Sequence, residues 1–309
     1  MNRKKTALLV TVLLTSLLAA WSIFAASAAA SSMAMVLPCQ KAGWDFGVRA
    51  LYLRPSYTSG TYLSSYQNAS GSESYQSFQP NWSWGYALEG AYHFNQGAQV
   101  RVAWWHNSRT TSHDNTIGTA QRPMVVTLAV KPQWDSVYAE FSQLVALSVK
   151  SQAAWHAGLA FGRVSTNYYS NLNTLNTPTD EIRLKYNGLG PRVGIDWMRH
   201  WDNGVAVYAK SASSLLIGDN RFSTVTTGLL DPNNGITSGT WRALVPAVEA
   251  QLGAQMVKSF SEGSLTLDVG YFWMNYFRVQ AFRTISGVAR NSDFGLNGPF
   301  IGLKWLGFI

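Results

Sequence analysis

Between Trp84 and Phe94 the chain reads WGYALEGAYHF, and its two parities are unlike. Trp84, Tyr86, Leu88, Tyr92 and Phe94, with Gly90 among them, form one set; Gly85, Ala87, Glu89, Ala91 and His93 form the other. A period of two is the mark of a β-strand, whose successive side chains point to opposite faces. The first set is large and apolar, with aromatic rings at both ends. The second is small or ionisable. Such a strand either packs its large face on a soluble core or turns it to lipid with rings at the two interfaces. The rest of the chain has to decide between a secreted β-sandwich and a membrane β-barrel.

Composition favours the barrel. Of 309 residues only 13% are charged, and another 13% are aromatic, including 13 Trp. Average domains carry about 25% charge. Beyond the N-terminus no segment approaches the ~20 apolar residues that a transmembrane helix needs. The N-terminus itself has a basic start (Arg3, Lys4, Lys5), an apolar stretch from Ala7 to Phe24, and Ala26-Ser27-Ala28 as a cleavage site. This is the form of a secretory signal peptide over residues 1–28; an uncleaved anchor helix is the alternative. Loss of those three basic residues lowers the net charge from +8 to +5, too little to suggest nucleic acid as a partner. The lone Cys39 cannot staple the fold. It is either a free thiol or half of a disulfide between chains in an oxidising compartment.

Residues 29–43 read as a short periplasmic lead-in, and 44–309 as the barrel. Trp44–Leu53 alternates as a first strand, ended by Pro55. A long polar loop over 56–79 precedes the WGYALEGAYHF strand. The tight turn Asn95-Gln96-Gly97 then leads into a third strand over 98–106. The same unit recurs: strands near 134–145 and 155–162, near 192–200 and 205–216, near 248–256 and 265–273, and a last one from about 300. Asp202-Asn203-Gly204 and Ser261-Glu262-Gly263 mark further short turns. The strand near 205–216 alternates poorly. Pro80, Pro132, Pro191, Pro246 and Pro299 recur at intervals of 52 to 59 residues. Proline lacks a ladder donor, so these positions are expected to head the even-numbered strands. Short turns on one side and long polar loops on the other describe an antiparallel up-and-down transmembrane barrel of about ten strands, with eight and twelve as alternatives.

The two faces then acquire meanings. Trp84, Tyr92, Trp104, Trp155, Tyr271, Trp273 and Trp305 fall on the apolar parity near strand ends, as an interfacial aromatic girdle would. The opposite parity holds Gly and Ala together with Asp45, Arg49, Glu89, His93, Arg101, Glu140, His156, Asp196, Glu249 and Asp268. Burying so many charges in a sandwich core would be costly. A wet or salt-bridged lumen accommodates them, and they are the candidate lumen-lining residues. Lys304 is expected beside them. No catalytic nucleophile motif, metal-spaced His pair or phosphate loop is present. His113 and Asp114 are adjacent, but neighbouring residues in a strand point apart. No enzyme activity, cofactor or metal is expected.

Several short stretches carry a family resemblance: Trp44-Asp45-Phe46-Gly47 with Ala50-Leu51-Tyr52-Leu53; Leu88-Glu89-Gly90 with Tyr92-His93-Phe94-Asn95; GLGPRV over 188–193; Ser292-Asp293-Phe294-Gly295 with Gly302-Leu303-Lys304-Trp305. In that order they resemble the Legionella-type major outer membrane proteins. The resemblance implies a porin-like barrel in the outer membrane of a Gram-negative bacterium. It also implies surface abundance and, in some members, disulfide linkage, the role open to Cys39. The apolar last strand is similar to the C-terminal assembly signal of such barrels, although Ile309 stands where Phe is usual. Expected partners are outer-membrane lipid, the barrel-assembly machinery, other copies of the chain, and host-surface ligands.

Two functions follow. A porin would pass small hydrophilic solutes or ions through a lumen lined by paired charges. Alternatively those charges pair with each other and close the lumen, and a structural or adhesive surface barrel acts through its long loops. A ten-stranded barrel is only slightly wider than the eight-stranded kind that side chains fill.

Overall fold

A computed structural model of the chain describes residues 42–58, 63–67, 73–77, 80–94, 97–119, 122–172, 178–201, 204–226, 235–283 and 289–308. The expected signal peptide, nearly all of the expected lead-in, Cys39 and Ile309 lie outside the described residues, as do the side chains of His113 and Asp114.

Every described element is a strand. In chain order they are β1 (Gly43–Tyr57), β2 (Leu63–Gln67), β3 (Glu73–Ser77), β4 (Ser83–His93), β5 (Ala98–Ser108), β6 (Thr111–Thr119) and β7 (Arg122–Ala146). The second half contains β8 (Ser151–Leu172), β9 (Pro178–His200), β10 (Val205–Thr226), β11 (Gly235–Ser259), β12 (Gly263–Arg283) and β13 (Ala289–Phe308). The pairing order runs β5-β4-β1-β13-β12-β11-β10-β9-β8-β7, and β5 pairs with β7 to complete the circuit. The described residues therefore form a closed, ten-strand antiparallel barrel. β6 continues the course of β5 further along β7, and β2–β3 is a separate hairpin in the first long loop. Closure leaves the ten-strand circuit without a first or last strand, as an apolar solvent requires.

The short turns behave as their residues dictate. Gly97 and Gly204 adopt positive φ of 72° and 74°. That conformation is nearly free for glycine and strained for other residues.

The prolines are placed differently from the sequence expectation. Only Pro80 precedes its strand; Pro132, Pro191, Pro246 and Pro299 lie inside β7, β9, β11 and β13. Each keeps a partner on one side, Thr166, Leu159, Leu215 and Tyr271 respectively. Each has a lapse on the other. The β9–β10 ladder skips from Arg192 to Leu189, the β11–β12 ladder starts at Ala247, and the β1–β13 ladder skips from Phe300 to Asn297. On β7 the gap falls between the ends of β5 and β6. A missing N–H is tolerated where no neighbour asks for it. The strands therefore run on past their prolines, and between the expected strands over 98–106 and near 134–145 the chain forms a β6–β7 hairpin.

The outward face is apolar along the middle of the barrel: Val48, Leu88, Val102, Val137, Leu159, Val193, Ile195, Leu252, Val269, Ile301 and Leu303 are all exposed. Aromatic residues flank it. Trp44, Trp197, Trp201, Phe260 and Trp305 lie towards the short turns, and Trp84, Tyr86, Trp104, Tyr271 and Trp273 towards the loops. On β12 the eight residue steps from Leu265, opposite Trp305, to Trp273 rise about 20 Å at the usual strand tilt. That fits an apolar band ~25 Å tall bounded by rings. β7 and β11, at 25 residues each, are more than twice that long and stand well clear of it.

Candidate functional site

The inward parity fills the lumen in layers. At the short-turn end lies a cavity of about 320 Å³ whose lining includes Asp45, His93, Gln99, Gln152, Gln255 and Lys304. The Asp45 carboxylate is almost fully buried there. One of its oxygens takes both His93 Nε2 at 2.5 Å and Lys304 Nζ at 2.6 Å. Lys304 is thus joined to the predicted pair by the β1–β13 and β1–β4 ladders.

Above the cavity a belt of ion pairs crosses the barrel. Arg49 on β1 meets Glu89 on β4 at 2.6 Å and Asp268 on β12 at 3.0 Å. The Tyr208 hydroxyl on β10 donates to the other oxygen of Asp268 at 2.5 Å. Arg192 on β9 reaches in both directions: Nε to Glu140 on β7 at 2.5 Å and a terminal nitrogen to Glu249 on β11 at 2.8 Å, with its guanidinium 4.4 Å above the Tyr138 ring. His156 on β8 stands between Glu140 and Asp196, its ring nitrogens 3.1 and 3.4 Å from their oxygens. The Nδ1 contact has ion-pair distance without hydrogen-bond alignment. Arg101 on β5 approaches Asp196 at 3.9 Å. Lys210 completes the ring around a void of about 20 Å³, room for roughly one water.

The ten predicted lumen residues therefore all face inward, eight in this belt and Asp45 with His93 below it. Sequence reasoning left Arg192 and Lys210 out of the candidate set, although their parity marks them. Arg192 is the main connector. Two carboxylates from strands on either side converge on it, and it is itself buried. Opposite charges at this depth must be matched closely to offset the cost of leaving water.

A third layer was not foreseen. Above the belt, Trp105, Trp134, Phe272, Met274, Tyr276, Leu51, Leu53, Val164, Leu216 and Leu296 form one almost wholly buried cluster. The Phe272 ring centroid is 4.9 Å from Trp105 and 6.0 Å from Trp134. The Trp134 indole N–H donates to the Tyr276 hydroxyl at 3.4 Å. Trp134 is on β7 and Phe272 on β12, half-way round the ten-strand circuit. Arg49 ties this plug to the belt, lying 5.5 Å from the Trp105 ring and 5.3 Å from that of Phe300. Higher still, the Gln280 amide donates to the Thr166 hydroxyl at 2.5 Å, and that of Asn220 to the Val279 carbonyl at 2.8 Å.

The poor alternation of β10 has the same cause. Its inward side carries Tyr208 and Leu216, which enter the filled lumen. Its outward side carries Ala209, Ser211 and Ser213, so the usual contrast of size is lost.

The girdle candidates lie on the outward parity. Trp84 stacks at a tilt on Tyr52 (4.9 Å), Trp104 meets Tyr86 edge-on (5.3 Å), and Asn297 donates to the Tyr271 hydroxyl (2.7 Å). Tyr92 contacts Trp44, Trp155 contacts Phe141 and Trp305 contacts Phe260, all nearer the short turns. Trp273 is exposed between them and the loops.

A closed antiparallel barrel with an apolar, ring-bounded exterior and a buried ionic interior is an integral β-barrel of the outer membrane of a Gram-negative bacterium. The family model described as Legionella pneumophila major outer membrane protein precursor matches residues 36–307, and the chain belongs to that family. Comparison with curated protein sequences gives no match. Among solved structures, the outer membrane protease OmpT from Escherichia coli is similar at 9% identity and a TM-score of 0.47, over 89% of this chain and 99% of that one. Neisserial surface protein A is similar at 11% identity and a TM-score of 0.30, over 86% and 98%. So is Ail, the attachment invasion locus protein of Yersinia pestis, solved with the heparin analogue sucrose octasulfate, at 10% and 0.30, over 86% and 99%.

Proposed function

We propose that this protein is a closed-lumen surface barrel that acts through its outer end, as a scaffold for loops that contact host or matrix surfaces. It is not read as an open diffusion pore. The observation that carries this is the contact of Trp134 with Phe272 from opposite walls, within a cluster of nearly inaccessible side chains. A ten-stranded barrel is roughly 20 Å wide between backbones. Two such rings, with Trp105 beside them, span that width. The porin expected from the family resemblance needs a continuous water path. Such a path would cross both this cluster and the paired belt, and the belt's void holds about one water. Loop composition supports the surface role: residues 56–79 are dominated by Ser, Tyr, Gln and Gly, a set suited to adaptable polar and aromatic contacts.

The deciding experiment is single-channel recording of refolded protein in planar bilayers, with circular dichroism confirming sheet. Folded protein should give no steady conductance steps. Regular steps from such a sample would restore the porin. Deletion of residues 59–79 with the barrel kept should reduce binding to host cells, and unchanged binding would remove these residues from the adhesive role.

A further inference from the structure

On the outward face, the boundary between apolar and polar residues carries an uneven distribution of charge. Phe161, Leu189, Ile217 and Leu244 are exposed apolar residues on the four adjacent strands β8 to β11. Moving one or two steps of the same parity towards the loops meets Arg163, Lys185, Arg221 and Arg242. The registers make them neighbours. Arg221 lies directly opposite Lys185, Asn187 opposite Arg163, and Asp219 opposite Arg242. The cations thus step diagonally across four strands, each within about 8 Å of the next.

These cations are poorly matched by the protein. Among the described residues Arg163, Lys185 and Arg242 have no ion pair, and the Nε of Arg163 is buried without a partner. Asp219 reaches Arg221 only at 3.7 Å, both largely exposed. Two further acids lie nearby, and each is taken by another group: Asp135, directly opposite Arg163 on β7, by His106 at 2.7 Å, and Glu181 by Arg183 at 2.5 Å. Like charges directly across a ladder are destabilising unless they share an anion. Elsewhere near this boundary outward cations find backbone acceptors: Arg54 on β1 donates to the Pro80 carbonyl at 3.4 Å and Arg109 to that of Trp82 at 3.0 Å, while β12 and β13 present Asn275 and Asn297.

We propose that Arg163, Lys185, Arg221 and Arg242 form a binding site for the phosphate groups of the phosphorylated glycolipid in the outer leaflet. The acyl chains would lie on Leu189, Ile217 and Leu244 below. Phosphate offers several acceptor oxygens, matching the guanidinium fork and the lysine ammonium. The apolar residues beneath distinguish a lipid from a free anion.

The test uses refolded full-length protein in a neutral detergent. Native mass spectrometry would measure retention of diphosphorylated lipid A, of the same lipid without phosphates, and of inorganic phosphate. Diphosphorylated lipid A should be retained. R163Q/K185Q/R221Q/R242Q should weaken that retention roughly tenfold or more, whereas R163K/R221K/R242K should keep most of it. K185Q alone, two- to fivefold weaker, provides the measurement if the fourfold variant does not fold by gel mobility. Retention within twofold of the unaltered chain in the glutamine variants would overturn the site. So would equal retention of the dephosphorylated lipid, or full competition by inorganic phosphate at equal concentration.

Discussion

Replacing Arg192 by Met tests whether the lumen belt is held by specific pairing. Met keeps a long apolar stem and removes the charge from a side chain that neutralises two buried carboxylates. Taking one partner from a buried ion pair typically costs about 3–5 kcal/mol, because the remaining charge stays desolvated. The two carboxylates are not equally stranded. Glu140 keeps His156 at 3.1 Å, whereas Glu249 has no second ion-pair partner among the described residues. Most of the loss should therefore come from Glu249. R192M is expected to destabilise the folded barrel by about 3–5 kcal/mol, two to three and a half decades in the unfolding constant. Adding E249Q should return about 2–3 kcal/mol of this, since a neutral amide is far cheaper to bury, while adding E140Q should return less. The assay is equilibrium urea unfolding in detergent micelles, followed by the fluorescence of the barrel's tryptophans. A loss below about 1 kcal/mol for R192M, the value of a solvated surface pair, would refute a dry belt. Equal rescue by E140Q and E249Q would refute the assignment of Glu249 as the stranded group.

Three further outcomes follow. Phe272→Ala removes the ring that packs on both Trp105 and Trp134; it should cost about 3–5 kcal/mol in the same unfolding assay and still give no bilayer conductance, because the belt beneath remains paired. Leu252→Arg, mid-height on the lipid face, should cost about 2–4 kcal/mol, whereas Ile217→Arg at the boundary should cost about 0–1 kcal/mol; equal costs in unfolding from lipid vesicles would contradict the placement of the membrane. Gly194→Ala should lose about 1–3 kcal/mol, because a Cβ there meets the His156 ring and the Ser211 carbonyl. Gly47→Ala, whose Cβ finds nothing nearer than 3.6 Å, should stay within about 0.5 kcal/mol, and urea midpoints of the two variants give the comparison.

Alternation, together with the turn signals, made about ten strands and both faces legible, because a strand has only two directions in which to point a side chain. It placed Asp45, Arg49, Glu89 and Arg101 inward without any knowledge of their partners. The partners depend on register around the circuit, which no single strand records: Arg49 meets Asp268 only because β13 brings β1 and β12 to either side of it. An aromatic ring marks the lipid interface only on the outward parity: Trp105 shares its parity with Arg101 and Ala103, and Phe272 shares its own with Asp268 and Gly270, so both belong to the lumen. The local signal for a filled lumen is the adjacent pair of large aromatics. At Trp104-Trp105 and again at Tyr271-Phe272-Trp273, both parities are bulky at one height. A strand wet on its inner face has no use for that. One meeting lipid on one side and a packed interior on the other requires it, as strands covered on both faces do in general. The same rule accounts for the glycines of the belt level. Gly194, inward on β9, leaves the space that the His156 ring fills, and Gly158, inward on β8, lies against the β7 backbone at Ala139 and Glu140, so small and ionisable residues alternate along one parity where bulk takes over higher up.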